Sequence, residues 1–198
     1  HPPVIFSQEK LKVDERLPAA RQAIVDRGLN ERLGDDAGPL SELGIVVQGG
    51  LTNALVRAMQ LCGLADGLGE VSLPVLVLNV TYPLVPEELS AFCIGKRAVL
   101  MVEEGQPEYI EQELATMLRR ADIQTPLHGK GMLALAGEYS AEVMAGGLEK
   151  FLRQYRSELL PTTVPGGLST APPVGVKSHA AGLKVMPPVT PEPTRLTI

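Results

Sequence analysis

Three short apolar runs, each closed by a polar or glycine-rich turn and followed by a helical pattern, limit what this chain can fold into. "LGIVVQG" (residues 43–49), "LPVLVLNV" (73–80) and "RAVLMVEE" (97–104) have strand length and near-continuous apolar character. That is the pattern of strands covered on both faces of a sheet. Between them lie helical periods. "TNALVRAMQLC" puts Leu51, Leu55, Ala58, Met59 and Cys62 on one face, with Thr52 in the N-cap position. "VPEELSAFC" begins with Pro86 and two glutamates at its positive end. The next helix has Pro107 in its first turn, Ile110, Leu114, Met117, Leu118 and Ala121 inward, and Arg119 and Arg120 in its last turn. A fourth strand is expected near 125–128, a Ser140-capped helix follows with Met144, Leu148, Phe151, Leu152 and Tyr155 inward, and an N-terminal helix spans about 18–27. Strands alternating with helices of this length make βαβ units, hence a three-layer α/β fold with a mostly parallel sheet and helices on both faces.

The segment 161–198 breaks the alternation. It holds eight of the 17 prolines, four glycines and no apolar period, the composition of a linker or tail beside an α/β domain at 1–160. Its Lys177, Lys184 and Arg195 stand against Glu192 alone, so the −5 of the whole chain rises to about −7 for the first 160 residues. That acidity argues against nucleic acid or an anionic membrane surface as partner. With 4% aromatic residues and no tryptophan, stacking platforms for single strands are scarce. Cys62 and Cys93 form no metal or disulfide spacing and read as small buried hydrophobes in a cytoplasmic chain. No run reaches membrane-spanning length. The chain opens "HPPV" without methionine, as a piece of a longer polypeptide would.

The loops after the strands share one edge of such a sheet, where open α/β folds bind ligands. Here they deliver Gln48-Gly49-Gly50, Asn79-Val80-Thr81-Tyr82, Glu103-Glu104-Gly105-Gln106 and His128-Gly129-Lys130-Gly131. "QGGLTNA" is not a dinucleotide fingerprint, because the glycine spacing differs and no acidic residue ends the second strand. Its glycines read as a tight strand-to-helix turn. "HGKGM" departs from the phosphate-loop pattern, and no serine or cysteine sits in a nucleophile elbow. Glu103 and Glu104 are adjacent in an extended segment, so they point to opposite sides and cannot face one substrate together. They read as rim acids that cap loop amides and support the next helix.

The wording of four segments adds to this. "GIVVQGGLTNALVRAMQLCGLAD", "VLVLNVTYPLVPEELSAF", "KRAVLMVEEGQPEYIEQEL" and "LHGKGMLALAGEYSAEVM" together resemble the transketolase C-terminal-like domain of indolepyruvate ferredoxin oxidoreductases, members of the 2-oxoacid:ferredoxin oxidoreductase family. The resemblance covers roughly residues 8–152. It implies a parent enzyme that decarboxylates an aryl 2-oxoacid to an acyl-coenzyme A. Electrons would pass through iron–sulfur clusters to ferredoxin, with thiamine diphosphate and Mg²⁺ held between two other domains. It implies for this domain a noncatalytic, interdomain place, with other domains or subunits of the oxidoreductase as its partners. No catalytic, cofactor-binding or metal-binding residue is assigned in this chain. The residues carried over are interface candidates: Gln48, Thr81, Tyr82, Glu103, Glu104 and Gln106. The alternative is a stand-alone nucleotide- or coenzyme A-binding module using the glycine turn and "HGKG", whose affinity Gly50→Val or Lys130→Glu would weaken.

Overall fold

A computed structural model describes residues 2–160 of the chain. The expected linker or tail at 161–198 lies outside the described residues. Helices α1 (Pro2–Leu11) and α2 (Leu17–Asp26) come first, joined through a π-helical turn at Lys12–Arg16. The strands are β1 (Glu31–Leu33), β2 (Leu43–Gln48), β3 (Val75–Leu78), β4 (Ala98–Val102) and β5 (Leu127–His128). Between and after them run α3 (Thr52–Leu61), α4 (Pro86–Cys93), α5 (Tyr109–Arg120) and α6 (Ala141–Tyr155). One sheet has the order β1-β3-β2-β4-β5. All neighbours are parallel except β1, which pairs antiparallel with β3.

Strand alternation sorts the core into two halves. Ile45, Val47, Val75, Val77, Leu100 and Val102 point to one face, where α3 contributes Leu55, Ala58 and Met59, and α6 contributes Met144, Leu148, Phe151 and Leu152. Val46, Leu76, Leu78, Val99 and Met101 point to the other, against Leu89 and Phe92 of α4 and Ile110, Leu114 and Leu118 of α5. These strand residues are 2% exposed or less. Each buried side chain of this size contributes about 1.5–3 kcal/mol relative to exposure. The result is the expected three-layer α/β arrangement with a mostly parallel sheet.

Several details differ from the sequence reading. β1 was not anticipated; it is three residues long, and its Glu31 and Arg32 are exposed, as suits an edge strand that resists further pairing. The N-terminal helix begins well before residue 18, because 2–16 also adopt helical backbone, although no residue of α1 is buried. Thr52 does not cap α3: its hydroxyl donates backward to the Gly49 carbonyl at 2.8 Å. Pro107 precedes α5 rather than opening it, and Ala121 at its C-cap is exposed. Ser140 does cap α6, accepting from the Val143 amide at 3.4 Å.

Candidate functional site

β2 leads into α3 on one face of the sheet, and β4 leads into α5 on the opposite face. Their carboxyl ends therefore part at a topological switch point, the usual ligand crevice of open α/β sheets. Here a side chain spans it. Gln48 Oε1 accepts a hydrogen bond from the Glu104 amide at 2.9 Å.

The two glutamates diverge as the pleat requires. Glu103 is buried, 5% exposed, and its carboxylate faces the N-terminus of α5. Ile110 N donates to Oε1 at 3.0 Å and to Oε2 at 3.1 Å, and Glu111 N donates to Oε2 at 3.0 Å. The first amides of a helix lack intrahelical acceptors and carry the positive end of its dipole. Glu108, at the N-cap, makes no capping bond, so Glu103, five positions upstream of it, takes that role. Glu104 is exposed, and its Oε1 accepts from the Tyr139 amide at 2.6 Å. The pair is thus divided between the start of α5 and the loop at Tyr139, and neither carboxylate is free to share a substrate with the other.

The "HGKG" loop is also turned inward. Lys130 Nζ donates to the Glu103 carbonyl at 2.6 Å and lies 2.9 Å from the Tyr139 hydroxyl, while its amide donates to Glu111 Oε2 at 3.1 Å. Tyr139 in turn donates its hydroxyl to the Ala134 carbonyl. Gly129 packs so closely on the Glu111 carboxylate that a Cβ would collide with it. His128 Nε2 lies 2.6 Å from the Tyr155 hydroxyl, and burial holds its pKa below the usual histidine value, with Glu111 opposing that shift.

In "QGG" the two glycines differ. A Cβ on Gly49 would lie 2.5 Å from Asn79 Oδ1 and 3.1 Å from Asn79 Cα, whereas one on Gly50 would meet nothing within 4 Å. The close approach that glycine permits at position 49 is thus to the chain's own β3 end. Asn79, where a ribose-binding acid would stand in a dinucleotide fold, donates Nδ2 to the Leu29 carbonyl at 3.0 Å and to Glu31 Oε1 at 2.6 Å. An open depression of about 390 Å³ remains beside these residues, floored by Gly49, Gly50 and Leu78.

Gln48, Thr81 and Glu104 border that depression. Tyr82 lies outside it, 61% exposed, with Lys12 Nζ 5.8 Å from its ring centroid. Gln106 is exposed and donates Nε2 to the Leu135 carbonyl at 2.9 Å. Five of the six candidates thus reach the surface of the edge, and Glu103 sits beneath it. Sequence reasoning missed Tyr109, the first residue of α5, and Leu135, in the loop before α6, which are 69% and 65% exposed. Tyr109 carried a signal: a large aromatic immediately beside, rather than on, the Ile110–Leu114–Leu118 stripe.

Among the described residues no group of three His, Cys, Asp or Glu side chains is placed to hold a metal. Cys62 packs with the α3–α6 half of the core and Cys93 with the α4–α5 half, so the sheet separates them. Burial pushes the Cys62 thiol up to about 11, with Glu149 adding to the shift, and the Cys93 thiol up to about 12 against the opposing pull of Lys96. Both thiols thus lack the lowered pKa of an activated cysteine. No helix of the described residues is long and apolar enough to cross a membrane.

No protein-family model matches the chain. By sequence it is similar to indolepyruvate oxidoreductase subunit IorA of Methanothermobacter thermautotrophicus, 34% identical over 111 residues that make up 55% of this chain and 17% of the relative. It is likewise similar to the subunit of the same name from Methanothermobacter marburgensis, 30% identical over 132 residues, 66% of this chain and 20% of the relative. The chain therefore spans no more than a fifth of the length of the relatives it matches. Among solved structures it is similar to a 2-oxoglutarate:ferredoxin oxidoreductase from Magnetococcus marinus with 2-oxoglutarate, coenzyme A and succinyl-CoA bound. That likeness has a TM-score of 0.42 and 14% identity, covers 61% of this chain and 19% of the other, and carries no argument about ligand or mechanism.

Proposed function

We propose, on the chain's similarity to subunit IorA, that residues 1–160 form a noncatalytic interdomain unit of a 2-oxoacid:ferredoxin oxidoreductase. On this reading the carboxyl edge of the sheet packs on a neighbouring domain, and 161–198 connects to another part of the protein. The parent activity would be oxidative decarboxylation of an aryl 2-oxoacid such as indolepyruvate to its acyl-coenzyme A. Thiamine diphosphate with Mg²⁺, iron–sulfur clusters and the acceptor ferredoxin would all be engaged by other domains or subunits.

One observation carries the reading. At the strand ends the polar side chains that could grip a free ligand already hold the chain's own backbone: Gln48 the Glu104 amide, Asn79 the Leu29 carbonyl, Glu103 the α5 amides, Glu104 the Tyr139 amide and Lys130 the Glu103 carbonyl. Redirecting any of them leaves a partner unsatisfied, at about 1–3 kcal/mol each where buried. Outside that layer, Tyr82, Tyr109 and Leu135 present their side chains to solvent. Tyrosine is enriched where protein surfaces pack on one another, because its body is apolar and its tip is polar.

The test is association in trans. The chain is titrated into an IorA-type subunit lacking the matched segment, as wild type and as the Tyr82→Glu, Tyr109→Glu double variant. The expected result is saturable association weakened at least about tenfold in the variant, as for loss of an aromatic anchor, with an unchanged melting temperature. Equal binding by both proteins, or none by the wild type, overturns the assignment of this edge.

A further inference from the structure

Away from the carboxyl edge, α2, α4 and α5 enclose an open groove of about 410 Å³ on the outer side of the sheet. Arg21 of α2, Pro86 and Ser90 of α4, and Glu113, Met117 and Arg120 of α5 reach it together. Met117 belongs to the stripe expected to face the core, yet it is half-buried and lines this groove with Pro86. The volume falls within the range of small-molecule sites.

One of its polar groups is anchored and the others are open. Arg21 Nε donates to the Leu84 carbonyl at 2.9 Å, which fixes the guanidinium plane. Among the described residues neither Nη of Arg21 has an acceptor, and the Ser90 hydroxyl has no partner. Arg120 and Glu113 likewise form no ion pair with any described residue. An arginine anchored through Nε and open along its other edge is preorganised for an oxyanion. Two guanidiniums against one carboxylate leave the groove with a net positive charge of one, on a chain whose overall charge is −5. That balance suits a monoanion, and Glu113 repels a dianion. Pro86 and Met117 supply an apolar wall beside the charged end.

We propose that this groove binds a carboxylate carried on a compact apolar body, with Arg21 and Arg120 taking the carboxylate oxygens, Ser90 donating to one of them, and Met117 and Pro86 contacting the body. Such a group comes either as a free monocarboxylate or as an acidic residue flanked by apolar ones in a neighbouring polypeptide.

Amide and arginine side-chain NMR of the full chain tests this, with benzoate as the probe, benzamide as its uncharged counterpart, and inorganic phosphate as a dianionic control. A short peptide with one aspartate between two leucines distinguishes the polypeptide source. The expected result is saturable shifts of the Arg21 and Ser90 signals with benzoate, with a dissociation constant on the order of 1 mM for so small a ligand. Arg120→Gln, an exposed position that does not threaten the fold, weakens binding about five- to tenfold; Arg21→Lys does so while keeping a positive charge. Tighter binding of the peptide than of benzoate assigns the polypeptide source, and the reverse assigns the small molecule. Equal shifts with benzamide, equal affinity for phosphate, or no saturable shift with either carboxylate overturns the proposal. None of these outcomes bears on the carboxyl-edge interface, which is tested separately.

Discussion

Replacing Glu103 by glutamine removes one charge and almost no volume. The wild-type carboxylate receives the Ile110 and Glu111 amides at 3.0–3.1 Å from a position that is 5% exposed. Glutamine keeps one acceptor oxygen and presents an NH₂ to the other amide, so one buried donor loses its acceptor. An unsatisfied buried donor costs about 1–3 kcal/mol, and loss of the charge at the positive end of α5 adds about 0.3–1 kcal/mol. These terms overlap, and Glu103→Gln should destabilise by about 2 kcal/mol. For a domain of this size, where each kcal/mol moves the melting temperature by about 2–4 °C, that is a drop of about 4–8 °C. Glu103→Ala strands both amides and should cost about 3 kcal/mol. Glu104→Gln, exposed and with a single bond to Tyr139 N, should cost less than about 1 kcal/mol. Urea unfolding measures the three values, and hydrogen exchange at the Ile110 and Glu111 amides reports the cap directly. Equal, small effects at 103 and 104 with unchanged protection of those two amides would refute the reasoning.

Three further outcomes follow from the same geometry. Gly49→Ala should destabilise by about 1–3 kcal/mol, because its Cβ would press on Asn79 at 2.5 Å, while Gly50→Ala should fall within about 0.5 kcal/mol in the same denaturation assay. His128 has its pKa lowered by burial, so the stability it contributes is full above the unfolded-state value of about 6.5 and declines as pH falls through it; His128→Asn should flatten the stability profile between about pH 7 and 5. The thiols, raised to about 11 and about 12, should react slowly with a disulfide reagent in the native chain at pH 8 and fast after unfolding. Their contribution to stability should be lost as pH rises above the unfolded value near 9.

The parts of this fold that were legible in the sequence were those fixed by local pattern. Val46, Val47, Leu76, Val77, Val99 and Leu100 could only belong to strands covered on both faces, and the pleat alone separated Glu103 from Glu104. The short, charged β1 left no such pattern, because "ERL" gains its strand geometry by pairing with β3 some 40 residues downstream. The duties of Asn79 and Lys130 depend on partners that the chain brings close only after folding, Leu29 and Glu31 for one, Glu103 and Tyr139 for the other. The outward placement of Ala121 was missed for a different reason: α5 ends at Arg120, so the helical period that would turn residue 121 inward no longer applies. At the edge, the sequence indicated which loops meet, and the folded chain decided that their polar side chains hold one another.

Calorimetric titration of the purified chain with thiamine diphosphate plus Mg²⁺, then coenzyme A, then NAD bears most directly on the interdomain assignment, provided the same preparation unfolds cooperatively. The account predicts no saturable heat with any of the three. Saturable binding near micromolar by any one of them, abolished by Gly50→Val, would contradict it and make the depression beside Gly49 and Gly50 a ligand site in its own right.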